Sequence, residues 1–175
     1  MLRKLNFKQI ISYVLASVFV FFSISLLFSY FTKTEDMNIY SNKVFVLGAL
    51  YDIGSAGRGT TMGRYKFQVK NKTYKGAISL ATFKDSNPRI GKNYIVAYNS
   101  KNPSENICFL NIEVHDSIRH YFRKDGINKI PIESYQRTID SFTLYSLTTG
   151  VTRFFPPYYK KEDFPELEYL WGEEE

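Results

Sequence analysis

Residues 9 to 32, QIISYVLASVFVFFSISLLFSYFT, constrain this chain more than any other stretch, because they contain no charged side chain. At about 1.5 Å per helical residue, such a run is long enough to cross a hydrocarbon core of about 30 Å. Lys8 and Lys33 bracket it with charge on both sides. The pattern predicts a transmembrane anchor.

A cleaved secretory signal is the alternative interpretation, because Arg3, Lys4 and Lys8 give the chain a basic start. Two features favour an uncleaved anchor. The apolar run exceeds a signal's usual stretch of about 7 to 15 residues. The sequence that follows, FSYFTKTEDM, offers no cleavage site of the small-x-small type.

The charges that flank the span predict its orientation. Basic residues precede it, whereas Lys33 is followed by Glu35 and Asp36. Because positive charges stay on the cytoplasmic side, we expect a cytoplasmic tip at residues 1 to 8 and an extracytoplasmic location for the bulk of the chain. The lipid bilayer is the first expected partner, and a polar linker at residues 33 to 42 would hold the folded part off the membrane.

Residues 43 to 113 predict a small β-domain of five antiparallel strands, as a curled sheet or a barrel. Short apolar or alternating runs are separated by turns rich in Gly, Asn, Ser and Pro, which is the spacing of hairpins. The five candidate strands are KVFVLGALYDIG, RYKFQVK, TYKGAIS, YIVAY and ICFLNIEV. Together with the later helices, they predict an α+β domain.

The stretch YKFQVKNKTYKG at residues 65 to 76 predicts a tight hairpin. With Asn71 and Lys72 as the central turn residues, Phe67 would face Gly76 and one face would be apolar throughout. That face is expected to build the core through Tyr65, Phe67, Val69, Tyr74 and Ile78. The exposed basic face, the candidate binding surface, comprises Lys66, Lys70, Lys72 and Lys75.

The spacing of apolar residues changes after the strands and predicts two helices in a helical extension at residues 114 to 150. The first pattern stops at Asp125-Gly126, and the second begins at Pro131 and ends at Gly150. Its apolar residues are Val114, Ile118, Tyr121 and Phe122 in the first helix and Ile132, Tyr135, Ile139 and Phe142 in the second. An acidic aromatic tail at residues 151 to 175 could pack on the domain or on a partner.

Two stretches carry a family resemblance: GRYKFQVKNKTYKGAIS and IGKNYIVAYNSKNPSENICFL. They resemble the pattern of a family of small membrane-anchored proteins of unknown function, with a Tyr-x-Gly hairpin, a Gly-x-x-Tyr-x-Val-x-Tyr strand and an Asn-Pro turn. The resemblance covers residues 43 to 112, and this chain departs from it by lacking a glycine at position 72. It implies one N-terminal transmembrane helix joined to a small β-domain, and it supplies no reaction.

Few residues suggest catalysis or metal binding. Cys108 lies in the apolar context NICFL, which is typical of a buried, inert thiol. His115 and His120 are five apart, so on a helix they point away from each other. The glycine-rich loop GSAGRGTTMGR leads into a strand rather than a helix, which excludes a phosphate loop. We therefore expect no catalytic residues, no metal and no cofactor.

The net charge of +6 is concentrated in the tip and the β-domain, while the C-terminal tail is acidic. An extracytoplasmic basic surface could contact an anionic envelope component or a membrane protein. Nucleic acid is excluded by the expected location. The sequence thus predicts a single-pass, non-catalytic protein with a binding or structural role at the cell envelope. The alternative is an envelope enzyme that uses Cys108 or a histidine.

Overall fold

A computed structural model describes residues 7–57, 59–83, 86–122, 126–148 and 159–170. It contains a long first helix, five strands and a second helix. The helices are α1 (Phe7–Ser41) and α2 (Glu133–Thr148). The strands are β1 (Lys43–Ser55), β2 (Thr61–Val69), β3 (Lys72–Ser79), β4 (Asn93–Asn99) and β5 (Asn102–Glu113). Short 3₁₀ turns occupy Leu80–Thr82, Asp116–Tyr121, Lys161–Asp163 and Pro165–Leu170.

Helix α1 is long and apolar enough to cross a membrane. Its large apolar side chains between Ile10 and Phe31 lie 43% or more exposed, so the protein itself does not cover them. The linker expected at residues 33 to 42 is instead the last part of this helix, which ends at Ser41. The physical reason is tertiary packing: Ile39 is buried in the core, and Ser146 on α2 donates a hydrogen bond of 2.7 Å to Asp36.

The five strands form one antiparallel sheet in the order β3-β2-β1-β4-β5, which confirms the predicted five-stranded antiparallel sheet. The sheet is curled into a half-barrel. Buried aromatic and aliphatic side chains lie on both faces of the sheet. On the outer face, Phe142 of α2 packs on Phe109 of β5 and on Phe83, which follows β3. The inner face contains Val46, Leu50, Tyr65, Phe67, Tyr94, Val96, Tyr98, Cys108 and Leu110.

The hairpin between β2 and β3 forms as predicted, but its register differs by two residues. Lys70 and Asn71 are the central turn residues, with φ angles of 46° and 65°, and Val69 pairs with Lys72. A two-residue turn of this kind requires positive φ at both central positions. Since the shift is an even number of residues, the faces of the hairpin do not change, and Tyr65 rather than Phe67 lies opposite Gly76.

The described residues of the helical extension form one α-helix instead of the two predicted. Helix α2 is confirmed at Glu133–Thr148, but the first predicted helix is only a 3₁₀ turn at Asp116–Tyr121. Its apolar pattern spans too few residues to stabilise a longer helix. The predicted ends at Asp125 and Gly150 lie outside the described residues.

The described part of the tail, residues 159–170, packs on the domain, which is one of the two alternatives that the sequence leaves open. Phe164, Leu167 and Leu170 form a second apolar cluster with Leu144 and Leu147 of α2. Met37 and Tyr40 of α1 pack against the same cluster, and Tyr40 donates a hydrogen bond to Glu166. The tail thus joins α1 to α2, while residues 151–158 and 171–175 lie outside the described residues.

Candidate functional site

A wide groove lies on the outer face of the sheet, on the side that α2 leaves uncovered. It has a volume of about 1080 Å³. One wall is the polar face of the β2–β3 hairpin and the other is the Asp116–Tyr121 turn with Phe122. Leu47 and Ala49 of β1, both half-buried, line it between the two walls. We call this site the basic groove because its charged side chains are mainly cationic: Lys66, Lys70 and Arg119, against the one carboxylate of Asp116.

Lys66 and Lys75 lie directly opposite each other on β2 and β3. Side chains at such positions have Cβ atoms about 4.5 to 5.5 Å apart, and like charges there destabilise a sheet. None of the ion pairs between described residues involves Lys66, Lys70 or Lys75. The hairpin therefore presents an exposed positive charge that its described neighbours do not neutralise.

Lys70 extends this positive surface from the hairpin turn. It lies in the left-handed region with φ of 46°, a conformation in which Gly, Asn and Asp are the usual residues. Its side chain is exposed and lines the basic groove. A lysine in this conformation is less favourable than a glycine would be. The charged side chain therefore occupies the turn although the backbone conformation disfavours it.

Lys72 lies outside the basic groove, in contrast to the predicted basic face. It pairs with Val69, so its side chain is on the face that carries the core residues. Its ammonium nitrogen lies 5.2 Å from the centre of the Tyr74 ring, at a distance suitable for a cation–π contact. Of the four predicted lysines, Lys66 and Lys70 line the basic groove, and Lys75 lies opposite Lys66 on the same polar face of the hairpin without lining the groove.

The opposite wall of the basic groove was not predicted from the sequence. Arg119 and His120 are exposed on the 3₁₀ turn, and Asp116 is the acidic residue beside them. The Arg119–Asp116 contact is long, at 4.0 Å, and the Asp116 side chain is 94% exposed. Such a pair contributes little stability in water, so Arg119 remains available to an anionic ligand.

Cys108 lies inside the half-barrel with no exposed surface. Burial raises the pKa of its thiol well above the usual value, so the thiolate that acts as a nucleophile is disfavoured. Both histidines are exposed on the outside of the domain. No hydrogen bond between described residues joins Cys108 to either of them.

A hydrogen bond from a buried tyrosine lies inside the half-barrel. The Tyr65 hydroxyl donates a hydrogen bond of 2.8 Å to the side-chain oxygen of Asn106 on β5. Burial raises the pKa of Tyr65 above its usual range, so the hydroxyl stays protonated and keeps its role as donor. This bond ties β2 to β5 across the curl of the sheet.

The other candidate chemistries find little in the described part of the chain. No group of three or more His, Cys, Asp or Glu side chains there could hold a metal ion. The glycine-rich segment connects β1, which ends at Ser55, to β2, which begins at Thr61. It is a strand-to-strand connection, as the sequence predicts, and Gly57 and Gly59 supply its positive φ angles.

Comparison with known proteins leaves the basic groove as the main guide to function. No family model, no curated protein and no solved structure matches the chain. The family resemblance in the strand sequences therefore stays a prediction.

Proposed function

We propose that this chain is a single-pass, membrane-anchored, non-catalytic protein whose extracytoplasmic domain binds an anionic component of the cell envelope. The main support for a membrane anchor is the exposed apolar segment of α1 between Ile10 and Phe31, which continues into a folded domain. In water, so large an apolar surface would be unfavourable, whereas in a bilayer it faces lipid tails. The basic residues before the span support a cytoplasmic N-terminus.

The basic groove supports the binding role. Its cations are exposed and lie on two separate walls, so a ligand between them would contact both. The enclosed thiol of Cys108 supports a role without covalent chemistry, because a nucleophile must reach its substrate. The envelope-enzyme alternative would need Cys108 or a histidine in a shared site, and the described contacts offer none.

Topology can be tested with a membrane-impermeant maleimide applied to sealed cells. Full-length Lys101→Cys places a thiol on the exposed turn between β4 and β5, and Leu2→Cys places one in the N-terminal tip. We expect Lys101→Cys to be labelled in sealed cells and Leu2→Cys only after lysis. The unmodified chain is the matched control, because Cys108 is fully enclosed and should stay unlabelled in native protein.

Two outcomes would contradict the proposal. Labelling of Leu2→Cys alone in sealed cells would reverse the orientation. Release of the chain from membranes by alkaline carbonate would show that α1 does not span the bilayer. The mass of the labelled protein separates an uncleaved anchor from a cleaved signal.

A further inference from the structure

We propose that the basic groove binds a linear polymer that carries phosphate groups along its chain. This inference rests on the binding role proposed above and names the class of ligand. It depends on three features: Lys66 and Lys70 on one wall of the groove with Lys75 opposite Lys66 on the same face of the hairpin, Arg119 on the other wall, and a wide opening to solvent.

The paired cations favour phosphate over carboxylate. Lys66 and Lys75 project side by side from neighbouring strands, and each ammonium group has three hydrogens to donate. Two ammonium groups on such adjacent side chains can share an anion with several acceptor oxygens, which a phosphate group supplies. A bound phosphate would also remove the repulsion between the two lysines.

Arg119 supplies the complementary contact from the other wall. Its guanidinium can bind two phosphate oxygens at once, and its contact with Asp116 is too long and exposed to hold it. Lys70 adds a charge at the turn, four residues along the chain from Lys66, which is about 13 Å in an extended strand. The cations are therefore spread along the groove rather than gathered at one point.

The shape of the groove favours a polymer. It is open to solvent, so a long ligand can enter and leave it at its ends, and its volume of about 1080 Å³ lies at the upper limit of the usual range of about 300 to 1,000 Å³ for small-molecule sites. Leu47 and Ala49 give it apolar contacts for the uncharged parts of a repeating unit. An acidic peptide fits less well, since the main-chain groups of β1 and β2 are already used in the sheet and leave little for peptide recognition.

The test uses the full-length protein in nanodiscs of neutral phosphatidylcholine, with linear polyphosphate of defined length as the probe. We expect polyphosphate to bind far more tightly than inorganic phosphate. The logarithm of the affinity should fall with the logarithm of salt concentration with a slope on the order of 0.7 for each phosphate contacted. The variants Lys66→Gln and Arg119→Gln should each weaken binding about tenfold and lower this slope.

Lys72→Gln is the matched control, because it removes the same charge from the same hairpin on the face away from the groove. It should leave the affinity and the salt slope unchanged. An equal loss with Lys72→Gln would show that net charge alone attracts the polymer and would overturn the proposal. Arg119 lies on a surface turn outside the sheet, so Arg119→Gln gives a reading even if Lys66→Gln disturbs the hairpin.

Two further arms separate other ligands. Polyglutamate that binds as tightly as polyphosphate would overturn the preference for phosphate, and preferential binding to anionic vesicles would replace the polymer with a lipid surface.

The outcome of this binding test is independent of membrane topology. If the maleimide test places the domain outside and polyphosphate does not bind, the anchored role stands and the ligand class falls. If polyphosphate binds and the domain proves cytoplasmic, the proposed location falls instead.

Discussion

Gly76 lies directly opposite Tyr65, and the aromatic ring occupies the space that a side chain at position 76 would need. A β-carbon built on Gly76 would collide with the Tyr65 ring and lie 2.7 Å from the side-chain oxygen of Asn106. The absence of a side chain thus permits the hydrogen bond between Tyr65 and Asn106. Aromatic cover of a glycine in a strand is also a known way to compensate for its missing side chain.

Replacing Gly76 with alanine should therefore lower the free energy of unfolding by about 1 to 3 kcal/mol, because the ring must leave its position. Tyr65→Phe is the comparison: it keeps the ring and removes the hydroxyl, and should cost about 1 kcal/mol. Denaturant unfolding of the full-length protein in micelles, followed by circular dichroism, measures both. A smaller loss for Gly76→Ala than for Tyr65→Phe would contradict this account.

At the same residue scale, the hairpin shows what alternation can and cannot predict. The alternation correctly assigned Tyr65, Phe67 and Val69 to the buried face. It could not choose between turns centred on Lys70-Asn71 and on Asn71-Lys72, because both registers keep the same faces. The turn is centred on Lys70-Asn71 because Lys70 adopts a left-handed backbone conformation. Lysine does not favour this conformation, so the sequence does not predict it. Lys72, predicted as a turn residue of the basic face, is instead the first residue of β3 and pairs with Val69.

At the scale of elements, the C-terminal tail is held by an acidic residue that is buried in the domain. Asp140 on α2 is only 5% exposed and accepts hydrogen bonds from Gln136 and from the Tyr169 hydroxyl, the latter at 2.8 Å. Lys43 at the start of β1 lies 3.6 Å from the same carboxylate. This residue connects β1, α2 and the tail, and its bond with Tyr169, which requires the protonated hydroxyl, adds to the apolar contacts that hold the tail.

The tail should consequently be held less tightly in alkali. Burial, and next the hydrogen bond to Asp140, raise the pKa of Tyr169 from 10.0 to about 12. Because the folded pKa is the higher one, the stabilisation is complete below pH 10 and is lost as the pH rises through about 12. Limited proteolysis of the tail across this range should show a step that Tyr169→Phe removes. A step that persists in Tyr169→Phe would assign it to another tyrosine.

The elements differed in how well the sequence predicted them. Helix α2 has a full apolar face and was found within two residues of Pro131. The Asp116–Tyr121 turn shares the apolar spacing of a helix but is too short to gain from it. The helical state of residues 33 to 41 could not be read from their polar composition, since it depends on contacts with α2, the sheet and the tail.

At the scale of the whole molecule, α1 continues into the domain and ends at Ser41, with a single residue between it and the start of β1 at Lys43. The same helix that carries the uncovered apolar surface ends inside the domain, where Ile39 is buried and Met37 and Tyr40 meet the tail. The basic groove is a property of this scale too. Its walls come from residues 66 to 73 and 116 to 122. No local sequence pattern links these two segments, so the sequence alone does not predict that Arg119 faces the hairpin.

We expect the distance between α1 and the domain to be narrowly distributed. Spin labels at Ser23→Cys and Lys101→Cys in nanodiscs should give a sharp distance distribution by pulsed electron paramagnetic resonance, with enclosed Cys108 left unlabelled. Deleting residues 159 to 175 removes Phe164, Leu167 and Leu170 from the second apolar cluster and should broaden it. A broad distribution in the intact chain would show that the joint is flexible.

The unbroken passage of α1 into the domain has a mechanical consequence. On the proposed anchoring, a rotation of the helix about its own axis turns the domain through the same angle, and a tilt of the helix swings the domain like a rigid lever. A protein that packs beside the helix in the lipid would then fix the orientation of the groove about the membrane normal. Membrane proteins that contact only the helix would thereby control which side of the domain an extracytoplasmic ligand can reach.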